Sequence, residues 1–330
     1  MTTTSPRSTL RRFVLGTLSA GLSVGLLVVA LPKVSHSSWD DVLDEVPQVQ
    51  ARFFALLLTL WIVGLYVHTV LLRAVLPGLR RRHAFALNLG GSCVSNVLPL
   101  GGAAGAALNW AMLSSWGFDR SSVLTFTTTT NLIVAAVKVA IAVAGLVALA
   151  EVPSLQGALP HAGTMLVITL CVLFVAALVA VYVARRPAAD GAEGSHRGLR
   201  AVIHSVRTSA VSAVRSRWVP VMFGAFGYPM LQLALLDACL HAFGLHIPFW
   251  YAAVAYAADR VLTMVPITPG GAGVAETGMT AVLIALGFDP TASAAAVLLY
   301  RGFTYYIEIP IGGAVALGWA VRRGRARIAA

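Results

Sequence analysis

Charge is scarce in this sequence. Asp, Glu, Lys and Arg make up 11% of the 330 residues, against about 25% in a soluble domain. Hydrophobic residues make up 58%, and the mean hydropathy is +0.81. That scarcity excludes a water-soluble globular enzyme. Cysteine is scarcer still: Cys93, Cys171 and Cys239 each stand alone in an apolar stretch, which excludes a disulfide framework or a cysteine-rich metal site. No phosphate loop, dinucleotide fingerprint, nucleophile elbow or zinc motif is present. The eight histidines show no ligand pairing. No cofactor is therefore expected, and no nucleotide to drive transport. The net charge of +11 does not point to nucleic acid, because the basic residues fall in short clusters between apolar spans.

What is present is a series of apolar runs 19 to 30 residues long. Lipid leaves only helices or closed barrels for such a chain, and runs of this length read as helices. Spans are expected at about 13–31, 53–76, 121–150, 163–184, 218–243 and 291–320. The first exceeds the about 7–15 apolar residues of a signal peptide core and is read as an uncleaved helix. Two pairs of shorter pieces lie between them, 84–98 with 101–116 and 249–267 with 270–286. The fold class expected is thus an all-α polytopic membrane protein, one transmembrane domain over 1–330, with about six full spans and two broken hairpins. Re-entrant hairpins are favoured over four crossing helices, since a crossing needs about 20 residues.

Charge sets the orientation. With the N-terminus inside, 18 of the 24 Lys and Arg residues fall in cytoplasmic segments, and only Lys33 and Arg52 fall outside. Both termini are expected on the cytoplasmic side of a bacterial-type inner membrane. The segment 185–217 holds seven arginines and reads as a basic cytoplasmic loop.

The chain also repeats itself. Pro99-Leu100-Gly101-Gly102-Ala103-Ala104-Gly105 echoes Pro266-Ile267-Thr268-Pro269-Gly270-Gly271-Ala272-Gly273, and Gly117-Phe118-Asp119 echoes Gly287-Phe288-Asp289. The offsets are 169 and 170. The units are about 51–150 and 221–320, each a helix, a broken pair and a helix. The charge assignment turns the second unit over relative to the first. Inverted repeats with interrupted helices place a substrate near the midplane, where the repeats meet.

Candidate site residues follow from that placement. Each returning helix is expected to start at a glycine pair, so the free N–H groups at Gly101-Gly102 and Gly270-Gly271 could hold an anion; close helix packing is the plainer use of the same glycines. Ionisable residues inside the membrane are costly and mark function. Here they are Lys138, Asp237, Asp259, Arg260, Glu276, Arg301 and Glu308. Arg301, Tyr305 and Glu308 share one helical face. The repeat offset sets Asn131 opposite Arg301 and Lys138 opposite Glu308. Glu276 near the start of a returning helix could pair with Arg260 or Arg301, or take a cationic headgroup. A structural ion-pair network is the alternative reading of the set. Arg73 reads as snorkelling, Asp237 with His241 as a self-satisfied pair, and Asp40-Asp41 as a solvated acidic loop.

The stretch Val265-Pro266-Ile267-Thr268-Pro269-Gly270-Gly271-Ala272-Gly273-Val274-Ala275-Glu276, followed by Gly287, Tyr300-Arg301 and Tyr305-Tyr306, resembles the signature of the lysylphosphatidylglycerol synthase transmembrane region family. This is the membrane half of the bacterial multiple peptide resistance factor. In the longer relatives a soluble aminoacyl transferase follows. This sequence ends at Ala330 without one, so the expectation carried over is the membrane part's role, moving an aminoacylated or other phospholipid between leaflets, and not the synthase activity. Pro269, Gly270, Gly271, Glu276 and Arg301 match the family pattern, and the first repeat departs from it at Leu100. The expected partner is a membrane phospholipid. Two rival readings are a membrane-embedded transferase using Asp119, Asp289 or the outer acidic loop, and a membrane partner for a separate lipid-modifying enzyme bound in trans at the basic loop.

Overall fold

The computed structural model describes residues 18, 21–46, 49–98, 101–150, 215–264 and 268–328. Among them the protein is all-α, without a strand. The expected span at 163–184, most of the basic loop, and Pro99 and Pro266 at the two tips lie outside the described residues.

The N-terminal helix passes through a π turn, Leu26–Ala30, into α1, Leu31–Ser35. Pro32 has no N–H to close the ladder, and the Val28 carbonyl accepts instead from the Trp39 indole N–H at 3.2 Å. Helix α2, Trp39–Glu45, opens on a capping box: Asp41 N–H donates to Ser38 Oγ at 3.1 Å and Ser38 N–H donates to the Asp41 carboxylate at 2.8 Å. The Ser38 hydroxyl and amide hold the Asp41 carboxyl below its ordinary value.

The first repeat is α3, Ala51–Val75, α4, Arg81–Val97, α5, Gly101–Ser115, and α6, Arg120–Ala150. The second is α7, Trp218–Ala242, α8, Phe249–Leu262, a 3-10 turn Pro269–Gly271, α9, Val274–Ala285, and α10, Pro290–Arg301. A π turn, Gly302–Tyr306, then leads into α11, Glu308–Ile328. The sequence reading has one straight span at 291–320. The structure breaks it, because Pro310 in the first turn of α11 cannot donate to the preceding turn and the ladder widens ahead of it. Helix α3, the Arg120–Gly145 part of α6, and α7 are each long and apolar enough to cross a membrane. Arg73 does not snorkel freely: its Nε donates to the Leu79 carbonyl at 3.1 Å and ties down the turn after α3.

The Gly-Phe-Asp repeat has a physical cause. Gly117 and Gly287 have φ of 88° and 90°, the left-handed region a helix end requires. The next N–H, of Phe118 or Phe288, donates to Leu113 or Leu283 at 3.2 Å in both copies, closing a Schellman motif. Asp119 and Asp289 then cap the following helix, accepting from Ser122 N–H at 3.0 Å and Ala292 N–H at 2.8 Å. The Ser122 hydroxyl and amide hold the Asp119 carboxyl below its ordinary value.

Contacts between the repeats are reciprocal. Helix α3 lies along its counterpart α7. The entering helix of each broken pair lies against the last rod of the other repeat, α4 against α11 and α8 against α6. A glycine sits at each crossing: Gly224 against Leu71, Gly312 against Leu89 and Cys93, and Gly145 against Ala257. In every case a Cβ would collide with the partner helix, the close approach that small residues permit where lipid supplies no hydrophobic drive.

Candidate functional site

The two repeats enclose a cavity of about 670 Å³, in the range of small-molecule sites. Its walls carry polar side chains among apolar ones. Helix α3 gives His68, α4 gives Asn88 and Ser92, α6 gives Asn131 and Lys138, α7 gives Gln232, and the last rod gives Arg301, Tyr305 and Glu308. Both glycine pairs, Gly101-Gly102 and Gly270-Gly271, line it, as does Arg260. Of the ten expected site residues only Glu276 is off the wall.

Beneath the wall lies an ionic network. Asp259 and Glu276 are fully buried. Arg301 donates from Nε to Glu276 Oε1 at 2.9 Å and from Nη2 to the Gly270 carbonyl at 3.1 Å, and its Nη1 lies 3.7 Å from Asp259 Oδ1. Its guanidinium sits 4.6 Å above the Tyr305 ring. Arg260 pairs with the same Asp259, donates to Gln232 Oε1 at 3.2 Å and stacks over Tyr256. Removing one partner from such a network would strand a buried charge, at a cost of about 3–5 kcal/mol.

This geometry selects among the readings of Glu276 and Arg301 and corrects that of Gly270-Gly271. Of the readings open for Glu276, the pair with Arg301 is the one found: Oε2 accepts the Gly273 N–H at 2.7 Å, and Oε1 takes Arg301 together with the Tyr306 hydroxyl at 3.3 Å. It is the N-terminal cap of α9 and has no oxygen to spare. Arg301 is likewise engaged, by hydrogen bonds from Nε and Nη2 and an ion pair from Nη1. Gly270-Gly271 do not begin the returning helix. They occupy a 3-10 turn at φ 56° and 73°, Gly271 N–H donates to Thr268 at 3.1 Å, and α9 starts three residues later behind Gly273. The inserted Thr268-Pro269 of the second repeat lengthens the turn. In the first repeat, Gly101 does begin α5.

Two of the ionisable residues on the wall have no ion-pair partner among those described. Neither Lys138 nor Glu308 has an oppositely charged group within 4 Å among the described residues. Glu308 is buried, with Ser92 beside its carboxylate. The repeat offset that pairs these two positions brings them to one cavity. The tips themselves meet at Tyr305, whose hydroxyl lies 2.8 Å from the Asn96 carbonyl at the end of α4 and 3.0 Å from the Pro269 carbonyl.

Sequence reasoning missed the amide hub. Gln232 donates to the Tyr228 hydroxyl at 2.8 Å and accepts from Tyr256 at 3.1 Å and from Arg260. His68 stacks on Tyr228 at 4.7 Å and meets Asn88 Oδ1 at 2.9 Å. A lone glutamine in an apolar span was the available signal. Asp119, Asp289 and Asp41, the carboxylates the transferase reading needs, are each spent on a helix cap. His241 and Asp237 do pair, at 3.5 Å.

Reciprocal helical halves around a buried polar cavity define a polytopic α-helical membrane protein with a site between its repeats. The profile of the lysylphosphatidylglycerol synthase TM region family matches residues 17–312, and the chain belongs to that family, whose members are membrane proteins of lipid handling. No curated protein and no solved structure matches the chain.

Proposed function

We propose that the protein carries a phospholipid across the cytoplasmic membrane, the headgroup passing through the cavity between the repeats while the acyl chains stay in lipid. The observation that carries this reading is the pair Lys138 and Glu308, one from each repeat, on the wall of a single cavity and without an ion-pair partner among the described residues. A polar headgroup cannot cross hydrocarbon without such groups to replace its water. Lys138 is the phosphate contact and Glu308 the contact for a donor on the headgroup. Arg260 and Arg301 shape the wall with charges already neutralised, and Tyr305 joins the tips. The reciprocal contacts fit two pseudo-symmetric halves, and the Lys and Arg distribution favours both termini cytoplasmic, an inverted arrangement in which the cavity faces each leaflet in turn.

The test is transfer in liposomes of phosphatidylcholine and phosphatidylglycerol holding the purified full chain and a fluorescent phospholipid, read by quenching of the outer leaflet. Lys138→Met keeps the length and apolar stem of the lysine and breaks no ion pair. It is expected to fold as the wild type does and to lose tenfold or more of the transfer, about 1.4 kcal/mol or more of lost binding to phosphate. Wild-type transfer by a folded Lys138→Met would remove the site.

A further inference from the structure

We infer that Glu308 is a proton site, and that a proton and the headgroup exchange across the membrane on this one carboxylate. The inference rests on the transport reading above and names what drives it. Glu308 differs from the other carboxylates described within the membrane. Asp259 pairs with Arg260 and Arg301, Glu276 with Arg301, and Asp237 with His241. Glu308 has no basic group within 4 Å among the described residues. It is also the one described carboxylate that lines the cavity.

The groups around Glu308 do not cancel its charge. Asp259, Glu276, Arg260 and Arg301 form a closed set, two acids with two bases. The guanidinium groups nearest Glu308, of Arg301 on α10 and Arg260 on α8, belong to that set. Lys138 on α6 has Arg260 and Asp259 as its electrostatic neighbours. Helix α7 sets Tyr228 near Glu308, α3 gives His68 to the same wall, and the π turn gives Tyr305. Helix α4, which lies along α11, brings Ser92 to the carboxylate and Cys93 to Gly312, one turn further on.

An unpaired carboxylate enclosed away from water is costly. Two guests relieve that cost when the cavity closes: a hydrogen-bond donor on the headgroup, or a proton. A carboxylate that holds one has given up the charge that draws the other, so the two compete, and competition at one site couples their movements. The cavity crosses with the headgroup in one direction and with the proton in the other. At the acid face a proton adds to a Glu308 oxygen as the headgroup leaves. At the opposite face an arriving headgroup displaces that proton into water. No bond other than this O–H forms or breaks. The position suits the task. Glu308 opens α11 just beyond the π turn Gly302–Tyr306, a widened ladder of the kind found at functional sites. It stands three residues after Tyr305, on the same helical face, so a change of its charge acts beside the residue that joins the tips.

The experiment uses liposomes holding the purified full chain and acyl-labelled fluorescent phosphatidylethanolamine. The lumen is one pH unit more acid than the outside, and valinomycin in equal potassium holds the voltage at zero. Quenching from outside reads how the label divides between leaflets at steady state. One-for-one exchange drives lipid toward the acid side. Wild type is therefore expected to gather the label in the inner leaflet about tenfold, the worth of one pH unit. Nigericin, which collapses the gradient, is expected to restore an even division. Glu308→Gln keeps the shape, breaks no ion pair, and is expected to fold and to leave the label even. Glu308→Asp returns a carboxyl and is expected to return the asymmetry. Asp237→Asn, off the cavity wall, is expected to keep the wild-type ratio. Infrared spectra of the proteins in detergent read the proton itself. On acidification wild type is expected to gain a protonated-carboxyl band that Glu308→Gln lacks. An even division by a wild type that moves label, wild-type asymmetry in Glu308→Gln, or identical infrared spectra for those two proteins overturns the inference. If wild type moves no label, the transport reading falls by itself, and the infrared comparison still decides the proton site.

Discussion

The two tips face one cavity and are built by different chemistry. The first is closed by glycine. A Cβ on Gly101 would strike the Ser95 carbonyl, and one on Gly105 would strike the Ser95 hydroxyl and the Gly91 carbonyl. No charge takes part. The second tip is closed by ions: Arg301 ties the Gly270 carbonyl to Glu276 and Asp259, and Glu276 caps the helix that follows. Where the second repeat has Glu276 and Arg301, the repeat offset gives the first Ala107 and Asn131. The same outline is thus held once by close steric contact and once by a desolvated ion network. The consequence is a division of labour. The second tip commits Arg301, Asp259 and Glu276 to one another, while the first tip holds its shape without an ion pair.

Breaking that contrast should have its largest effect at Arg301. Arg301→Ala leaves Asp259 and Glu276 short of a partner and is expected to cost about 3–5 kcal/mol, seen as loss of monodisperse protein in detergent. Asn131→Ala at the matching position of the first repeat is expected to leave the melting temperature within about 0.5 kcal/mol of wild type. Next come the glycines. Gly101→Ala forces Cβ into backbone and is expected to cost about 1–3 kcal/mol, while neighbouring Gly102→Ala meets open space and is expected to be neutral or to gain from helix propensity. Equal melts for those two variants would refute the packing account of the first tip. Asp289→Ala removes a cap and is expected to cost about 1 kcal/mol. Asp119→Ala should lower the melting temperature in the same direction if the two Gly-Phe-Asp corners are equivalent. The smallest effect is expected from Tyr305→Phe, about 0.5–1.5 kcal/mol for one hydrogen bond, with both tips otherwise intact.

The helices, the repeat and the membrane class were legible because each rests on local patterning. Apolar runs mark the spans, and Gly-Phe-Asp marks a helix stop followed at once by a helix start. Buried charge was legible too, since Lys138, Arg260, Arg301 and Glu308 stand out in apolar surroundings. Their partners were not. Which of Arg260 and Arg301 Glu276 would meet depends on how α8, α9 and α10 pack, and no spacing encodes that; the sequence left both open beside a headgroup, and the structure pairs it with Arg301. The π turn escaped because its cause, Pro310, lies past the residues it displaces.

A phenol has one proton, and Tyr305 offers it to two carbonyls, one on each tip. It cannot satisfy both fully at once. Either mouth can therefore let go while the other keeps its grip, and the toll for parting is a weaker share of a single bond instead of a whole one.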